Sequence, residues 1–296
     1  MKKVYSATVT PLTKDNKLDV SGLERIFARN IRHGLDGVFI LGSMGEWGSF
    51  DMEDRENIIR ESVRAADGKL EILAGIHCTG LDLTLRMMER AAKYNVNSYV
   101  LTLPAKTSAI NPLEYVLAVL DRADRPVYYY HCPPNNGIAL IPSDFETLLR
   151  HPRLKGIKNS AGDMGLRKEL ILLKQNHDFS LLEGHEWAID EALLVGCDGV
   201  LCGLGALASK PMVEIAKAVD RGDVETAVTT QRRLIEIFHA IYGVSKTTVW
   251  TGQKYALKQL GLIASDNALV QSTHVLTDAR KSEINNCLKT YKLFLD

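Results

Sequence analysis

Three short stretches bring together residue types able to work on a carbonyl compound. In LKGIKNSAGD, residues 154–163, period-two alternation puts Leu154, Gly156 and Lys158 on one face of a strand and Lys155, Ile157 and Asn159 on the other. If Ile157 packs outward under a helix, Lys158 points inward, with Gly156 leaving room beside it. A lysine kept from water has its charged form disfavoured, so its pKa falls and the neutral amine can attack a carbonyl carbon. The same spacing also fits a strand-end lysine whose stem lies along the protein while its ammonium reaches solvent. In GSMGEWG at 42–48, Gly42 and Gly45 allow close backbone approach, and Ser43 with the amide of Met44 can grip a carboxylate. Tyr130-His131-Cys132-Pro133 ends another apolar run and offers a phenol that can move protons at a substrate oxygen.

Other stretches carry less specific signals. CGLGALAS at 202–209 joins a strand to a helix, a place where barrels bind phosphate on backbone amides and where a plain tight turn is the simpler account. His185 and Glu186 can face substrate hydroxyls or cap the next helix. His77 and His131 stand at strand ends without the carboxylate spacing of a metal site. The five cysteines are scattered with no CxxC pair, which predicts buried free thiols rather than disulfides or zinc.

These residues need elements to hold them. Short runs rich in Val, Ile and Tyr at 4–9, 37–42, 71–76, 98–103, 126–132, 154–159, 180–184 and 199–204 read as eight strands. Amphipathic segments follow near 20–33, 54–66, 79–94, 112–123, 142–150, 165–176, 187–195 and 208–220, with Leu23, Ile26 and Ile31 forming the apolar stripe of the first. Asp51, and Asn111 before Pro112, read as helix starts. Strand and helix alternating in this way predict an α/β fold, a (β/α)₈ TIM barrel over 1–221 that carries the site at the C-terminal ends of its strands. Beyond about residue 221 the pattern is purely helical, so 222–296 is expected to form a C-terminal helical extension.

The 296 residues suit one barrel of about 250 residues plus such an extension. At 46% hydrophobic and 24% charged residues the composition supports a sizeable core. Lys plus Arg and Asp plus Glu are both 36, with no basic run, which argues against nucleic-acid and membrane-surface partners and for a small molecule. No stretch approaches the roughly 20 apolar residues of a membrane span, and the start lacks the apolar core of a signal peptide. A cytoplasmic location is the expectation.

Taken together and in this order, the motifs resemble those of the dihydrodipicolinate synthase and N-acetylneuraminate lyase family of class I aldolases. The resemblance covers nearly the whole chain: Thr10-Pro11-Leu12, GSMGE at 42–46, YHCP at 130–133, GIKNSAGD at 156–163, GHE at 184–186 and the helical C-terminal extension. It implies that Lys158 forms a Schiff base, that Tyr130 shuttles protons, and that Ser43 relays them and helps hold the pyruvate carboxylate. It also implies that Leu201 presents a backbone carbonyl near the site, that no cofactor is needed because the protonated imine is the electron sink, and that the chain forms a homo-oligomer, a tetramer or dimer.

Three positions depart from the family pattern. Met44 stands where a second hydroxyl is common, Pro104-Ala105-Lys106 replaces a Pro-Tyr-Tyr strand end, and Asn135 replaces the arginine that the synthases offer to an aldehyde carboxylate. An amide cannot supply the planar charged fork of a guanidinium. The expected activity is therefore that of a Schiff-base lyase on a pyruvate-derived 2-oxo acid, such as a 2-keto-3-deoxy sugar acid. Asn135, Asn136, His185 and Glu186 would meet its hydroxyls, and Lys106 would bind a distal carboxylate, lower the Lys158 pKa by like-charge repulsion, or face solvent. The alternatives are dihydrodipicolinate synthase itself, a non-catalytic barrel that only binds a 2-oxo acid, and a phosphate-binding barrel enzyme using the Gly203–Gly205 loop.

Overall fold

The computed structural model describes residues 1–106, 111–243, 245–271 and 275–296. Eight strands alternate with helices: β1 (Lys3–Ala7), α1 (Val20–His33), β2 (Gly37–Ile40), α2 (Met52–Ala66), β3 (Glu71–Gly75), α3 (Leu81–Ala92), β4 (Ser98–Leu101), α4 (Pro112–Leu120) and β5 (Val127–His131). They continue with α5 (Pro133–Asn136), α6 (Pro142–Leu149), β6 (Leu154–Asn159), α7 (Met164–Leu173), β7 (Ser180–Glu183), α8 (Ile189–Leu194), β8 (Gly199–Cys202) and α9 (Gly205–Asp220). All strand pairs are parallel and β8 closes on β1, so the sheet is a closed barrel in sequence order. This is the (β/α)₈ barrel that the alternation predicts.

Two side-chain layers follow from the two-residue strand period. Tyr5, Ala7, Phe39, Leu73, Val100, Tyr128, Tyr130, Leu182 and Leu201 fill the barrel interior. Their neighbours along the strands, such as Val38, Ile72, Tyr99 and Ile157, pack outward beneath the helices. Leu154 departs from the expected alternation and joins the outer layer. The β5–β6 register slips between Val127 and Tyr128, so Val127 faces Leu154 while Tyr128 faces Gly156, and the extra residue shifts the alternation at that point.

Several helix starts are set by side chains that accept otherwise orphaned N–H groups. Asp51 accepts from Asp54, and Asn111 from Leu113 and Glu114, ahead of Pro112 in the first turn. Such caps contribute about 1 kcal/mol each. The four-residue helix α5, which begins at Pro133, is absent from the periodicity, being too short to show an apolar stripe. All five cysteines are buried free thiols. Past α9 the chain forms α10 (Val224–Tyr242), α11 (Val249–Gln259), α12 (Asp278–Thr290) and α13 (Lys292–Leu295), with residues 244 and 272–274 of the expected extension outside the described residues. Among the described residues no helix is long and apolar enough to cross a membrane.

Candidate active site

Lys158 lies on β6 between Tyr130 of β5 and Leu182 of β7 in register. Ile157 is fully buried in the outer layer, so Lys158 points into the barrel, where only 4% of it is exposed. Its Nζ stands 4.0 Å from the centre of the Tyr130 ring and 5.3 Å from that of Phe39. Burial pulls its pKa below the ordinary lysine value, opposed by the nearby Cys132 and Cys202 thiol groups and the Glu186 and Glu183 carboxylates. The room for this side chain comes from a different glycine than the sequence points to. A Cβ on Gly156 would strike the Ser180 carbonyl and the Tyr128 ring, whereas a Cβ on Gly184 would lie 3.0 Å from Lys158 Cε and 1.9 Å from Ser160 Oγ. Gly156 serves the Tyr128 ring and the β7 backbone, and Gly184 keeps the lysine's path open.

The Tyr130 phenol is pushed well above its ordinary pKa by burial and by the neighbouring Cys132, and the nearby hydroxyls of Ser43 and Ser160 act in the opposite direction. Ser160 Oγ is buried without a hydrogen-bond partner, and the sequence does not single it out, because a small polar residue two positions beyond a strand lysine has no signature of its own. Ser43 Oγ also accepts a hydrogen bond from Asn135 Nδ2 at 3.1 Å. Lys158, Tyr130, Ser43 and Asn135 are thus brought together from β6, β5, the loop after β2 and α5. A desolvated amine beside a phenol and two hydroxyls can form an imine with a carbonyl and move protons around it.

Tyr130 and Ser43 border a cavity of about 390 Å³. One part of its wall is apolar, made by Trp47, Leu103, Pro104 and Ala105, and another carries the neutral groups of Thr79, Thr102, Asn135 and Asn136. Lys106 follows Ala105 but is exposed, and it is not among the cavity's lining residues. Neither are His185 and Glu186. His185 Nδ1 is 2.8 Å from Glu183 Oε1 and its ring packs on Trp187, while Glu186 Oε1 accepts the Leu204 N–H at 3.0 Å. Glu186 therefore fills the anion position at the Gly203–Gly205 turn with the protein's own carboxylate, and a Cβ on Gly205 would lie 2.7 Å from Ser6 Cβ. That arrangement argues against the phosphate-binding alternative. Met44 crosses to this side too: its Cγ lies 2.8 Å from where a Cβ on Gly203 would be, and it packs on the interior layer that includes Leu201.

The loop that carries Ser43 is held from far away in sequence. Leu41 and Glu46 both adopt positive φ, 56° in each case, a conformation that costs free energy for residues with a Cβ. Helix α11 supplies the restraints. Trp250 Nε1 donates to the Ser43 carbonyl at 3.0 Å, Gln253 Nε2 donates to the Gly203 carbonyl at 2.9 Å, and Lys254 Nζ pairs with the Glu46 carboxylate. Both members of that ion pair are fully buried. Lys254 Nζ also donates to the Asn267 carbonyl at 2.8 Å, and Glu46 Oε2 accepts the Val270 N–H at 2.9 Å. Ser43 and Glu46 stand more than two hundred residues from Trp250 and Lys254, so no local spacing announces these contacts.

A model of the dihydrodipicolinate synthetase family matches residues 1–290. The chain is 29% identical over 259 residues to a 4-hydroxy-tetrahydrodipicolinate synthase of Methylococcus capsulatus, covering 87% of this chain and 88% of the relative. It is 24% identical over 275 residues to an N-acetylneuraminate lyase of Escherichia fergusonii, covering 89% and 88%. Among solved structures it is similar to YagE of E. coli K12, a member of the dihydrodipicolinic acid synthase family in complex with pyruvate, with a TM-score of 0.91, 26% identity and 99% of each chain covered. The dihydrodipicolinate synthase of Bacteroides thetaiotaomicron superposes with a TM-score of 0.90 at 26% identity, covering 98% of each chain.

Proposed function

The chain belongs to the dihydrodipicolinate synthetase family and is a class I, Schiff-base lyase; we propose that Lys158 is its nucleophile and that it cleaves a hydroxylated 2-oxo acid, such as a 2-keto-3-deoxy sugar acid, to pyruvate and an aldehyde. The observation that carries this reading is the buried Lys158 amine 4.0 Å from the centre of the Tyr130 ring. Nζ attacks C2 of the 2-oxo acid, and the resulting carbinolamine hydroxyl leaves as water by taking the Tyr130 proton, giving an iminium beside a phenolate. The C3–C4 bond then breaks as Tyr130 takes the C4 hydroxyl proton, and its electron pair is held as an enamine. The positive iminium close to the phenol favours phenolate and offsets the burial that keeps Tyr130 neutral in the free enzyme. Protonation at C3 and hydrolysis of the imine release pyruvate and restore the amine. Ser43 relays protons to Tyr130 and, with the Met44 amide, binds the carboxylate.

Asn135 supports a hydroxylated rather than an anionic aldehyde half, because its neutral amide sits on Ser43 where a charged fork would be needed for a second carboxylate. Similarity to a 4-hydroxy-tetrahydrodipicolinate synthase favours the synthase as the second reading. The chain is further proposed to form a homo-oligomer, which light scattering of the purified protein tests. The central experiment is borohydride reduction with pyruvate, read by intact mass. Wild type gains one reduced pyruvate adduct and Lys158→Ala gains none; equal labelling of Lys158→Ala would remove the mechanism.

A further inference from the structure

We infer that the aldehyde half of the substrate is uncharged and amphipathic, and that it lies against Trp47 on the β2–β5 side of the barrel mouth, with Thr79 and Thr102 as hydrogen-bonding partners. The inference rests on the Schiff-base reading and adds the position and chemistry of the part that leaves. The cavity beside Tyr130 and Ser43 has about 390 Å³, within the usual range for a small-molecule site, roughly 300–1,000 Å³. Among the described residues that line it, none is charged. A second carboxylate or a phosphate placed there, away from the positive iminium that faces the pyruvate carboxylate, would be taken from water without a charged partner, which is strongly unfavourable.

The lining also indicates what does fit. Trp47 follows the Ser43 loop directly and is held at its ring by the edge-on His77 imidazole, 4.8 Å between centres, and by the Arg55 guanidinium at 5.4 Å. A flat apolar surface fixed in advance favours a ligand with an apolar face of its own. The polar side is partly committed. Asn136 Nδ2 reaches Thr102 Oγ1 and the Leu103 carbonyl, its Oδ1 accepts from Ile138, and Asn135 reaches Ser43. Thr102 accepts from Asn136 and keeps its own O–H to donate, and Thr79 is exposed at the cavity wall. Across the barrel, Glu186 and His185 are engaged with Leu204 and Glu183, so a departing aldehyde finds its open space near Trp47.

A matched pair of aldehydes tests this in the condensation direction with pyruvate: succinate semialdehyde and its neutral methyl ester. The ester is expected to have a kcat/KM about tenfold or more above that of the acid. Trp47→Ala should lower kcat/KM for the ester about tenfold while the borohydride-trapped pyruvate adduct on Lys158 forms as in wild type, and Trp47→Phe should recover most of the loss. The trapped adduct reports that each variant is folded. Preference for the acid overturns the inference, and if that preference disappears in Lys106→Ala, Lys106 is the carboxylate's partner. Unchanged use of the ester by Trp47→Ala, or a larger loss in His185→Ala than in Trp47→Ala, moves the aldehyde elsewhere. A wild type that traps no pyruvate brings down the Schiff-base reading and this inference with it.

Discussion

Replacing Lys254 by methionine tests how far the C-terminal helices hold the catalytic loop. The substitution keeps most of the stem's volume and removes only the charge, so the cost is electrostatic rather than a cavity. Lys254 and Glu46 are both fully buried, and the lysine's loss leaves the Glu46 carboxylate with the Val270 N–H as its remaining partner. The Asn267 carbonyl loses its donor as well. Removing one member of a buried pair typically costs about 3–5 kcal/mol, a large share of a total stability of about 5–15 kcal/mol. Removing both charges, in Glu46→Gln with Lys254→Met, should cost clearly less, because no unpaired charge is left in the interior. Urea unfolding of wild type, both single variants and the double variant measures this, with a constant m-value showing that the same surface unfolds in each. Pyruvate trapping on the same samples reports the loop, and Lys254→Met should need more pyruvate for the same labelling, since Glu46 closes the loop that starts at Ser43. A loss under about 1 kcal/mol in Lys254→Met, or a double variant no more stable than that single one, would refute the reasoning.

Tyr130→Phe should keep the fold and the pyruvate adduct but turn over about 10²-fold more slowly, the usual scale for a positioned acid–base group; near-normal turnover would assign the proton to another residue. In Gly184→Ala the new Cβ meets Lys158 Cε and Ser160 Oγ, so adduct formation should slow by about tenfold or more. Unchanged labelling in that variant would show that the lysine takes another path. Burial lowers the pKa of His131 and His33 to about 4 and that of His77 to about 3. Between pH 6.5 and those values the unfolded chain binds protons that the folded protein does not, so stability should fall as pH drops through that window. His131→Leu should flatten the slope measured by urea unfolding at pH 7, 6 and 5, and an unchanged slope would mean that His131 titrates alike in both states.

Much of this arrangement is written locally. Val, Ile and Tyr runs alternating with apolar stripes specify eight strand–helix units, and the observed strands fall within the expected runs to within about two residues at each end. The inward direction of Lys158 follows from its parity with Ile157, since successive strand residues must take opposite faces. The motifs around Lys158, Tyr130 and Ser43 mark the chain ends that meet, because a closed barrel gathers all its strand C-termini on one rim.

What the tertiary structure alone decided lies between elements. Parity gives a side chain's face but not its neighbour, so Gly184 rather than Gly156 clears the path of Lys158, and a register slip against β5 moves Leu154 to the outer layer. Glu186 reads in the sequence as a substrate ligand or a helix cap, and the fold turns its carboxylate to the Leu204 N–H on the neighbouring strand's turn. Trp250, Gln253 and Lys254 read only as one turn of a helix, and packing sets them on Ser43, Gly203 and Glu46. Backbone periodicity is a property of a few adjacent residues and is legible in them. A hydrogen bond or ion pair across two hundred residues depends on where closure of the whole barrel brings two surfaces together, and no short stretch of sequence contains that distance.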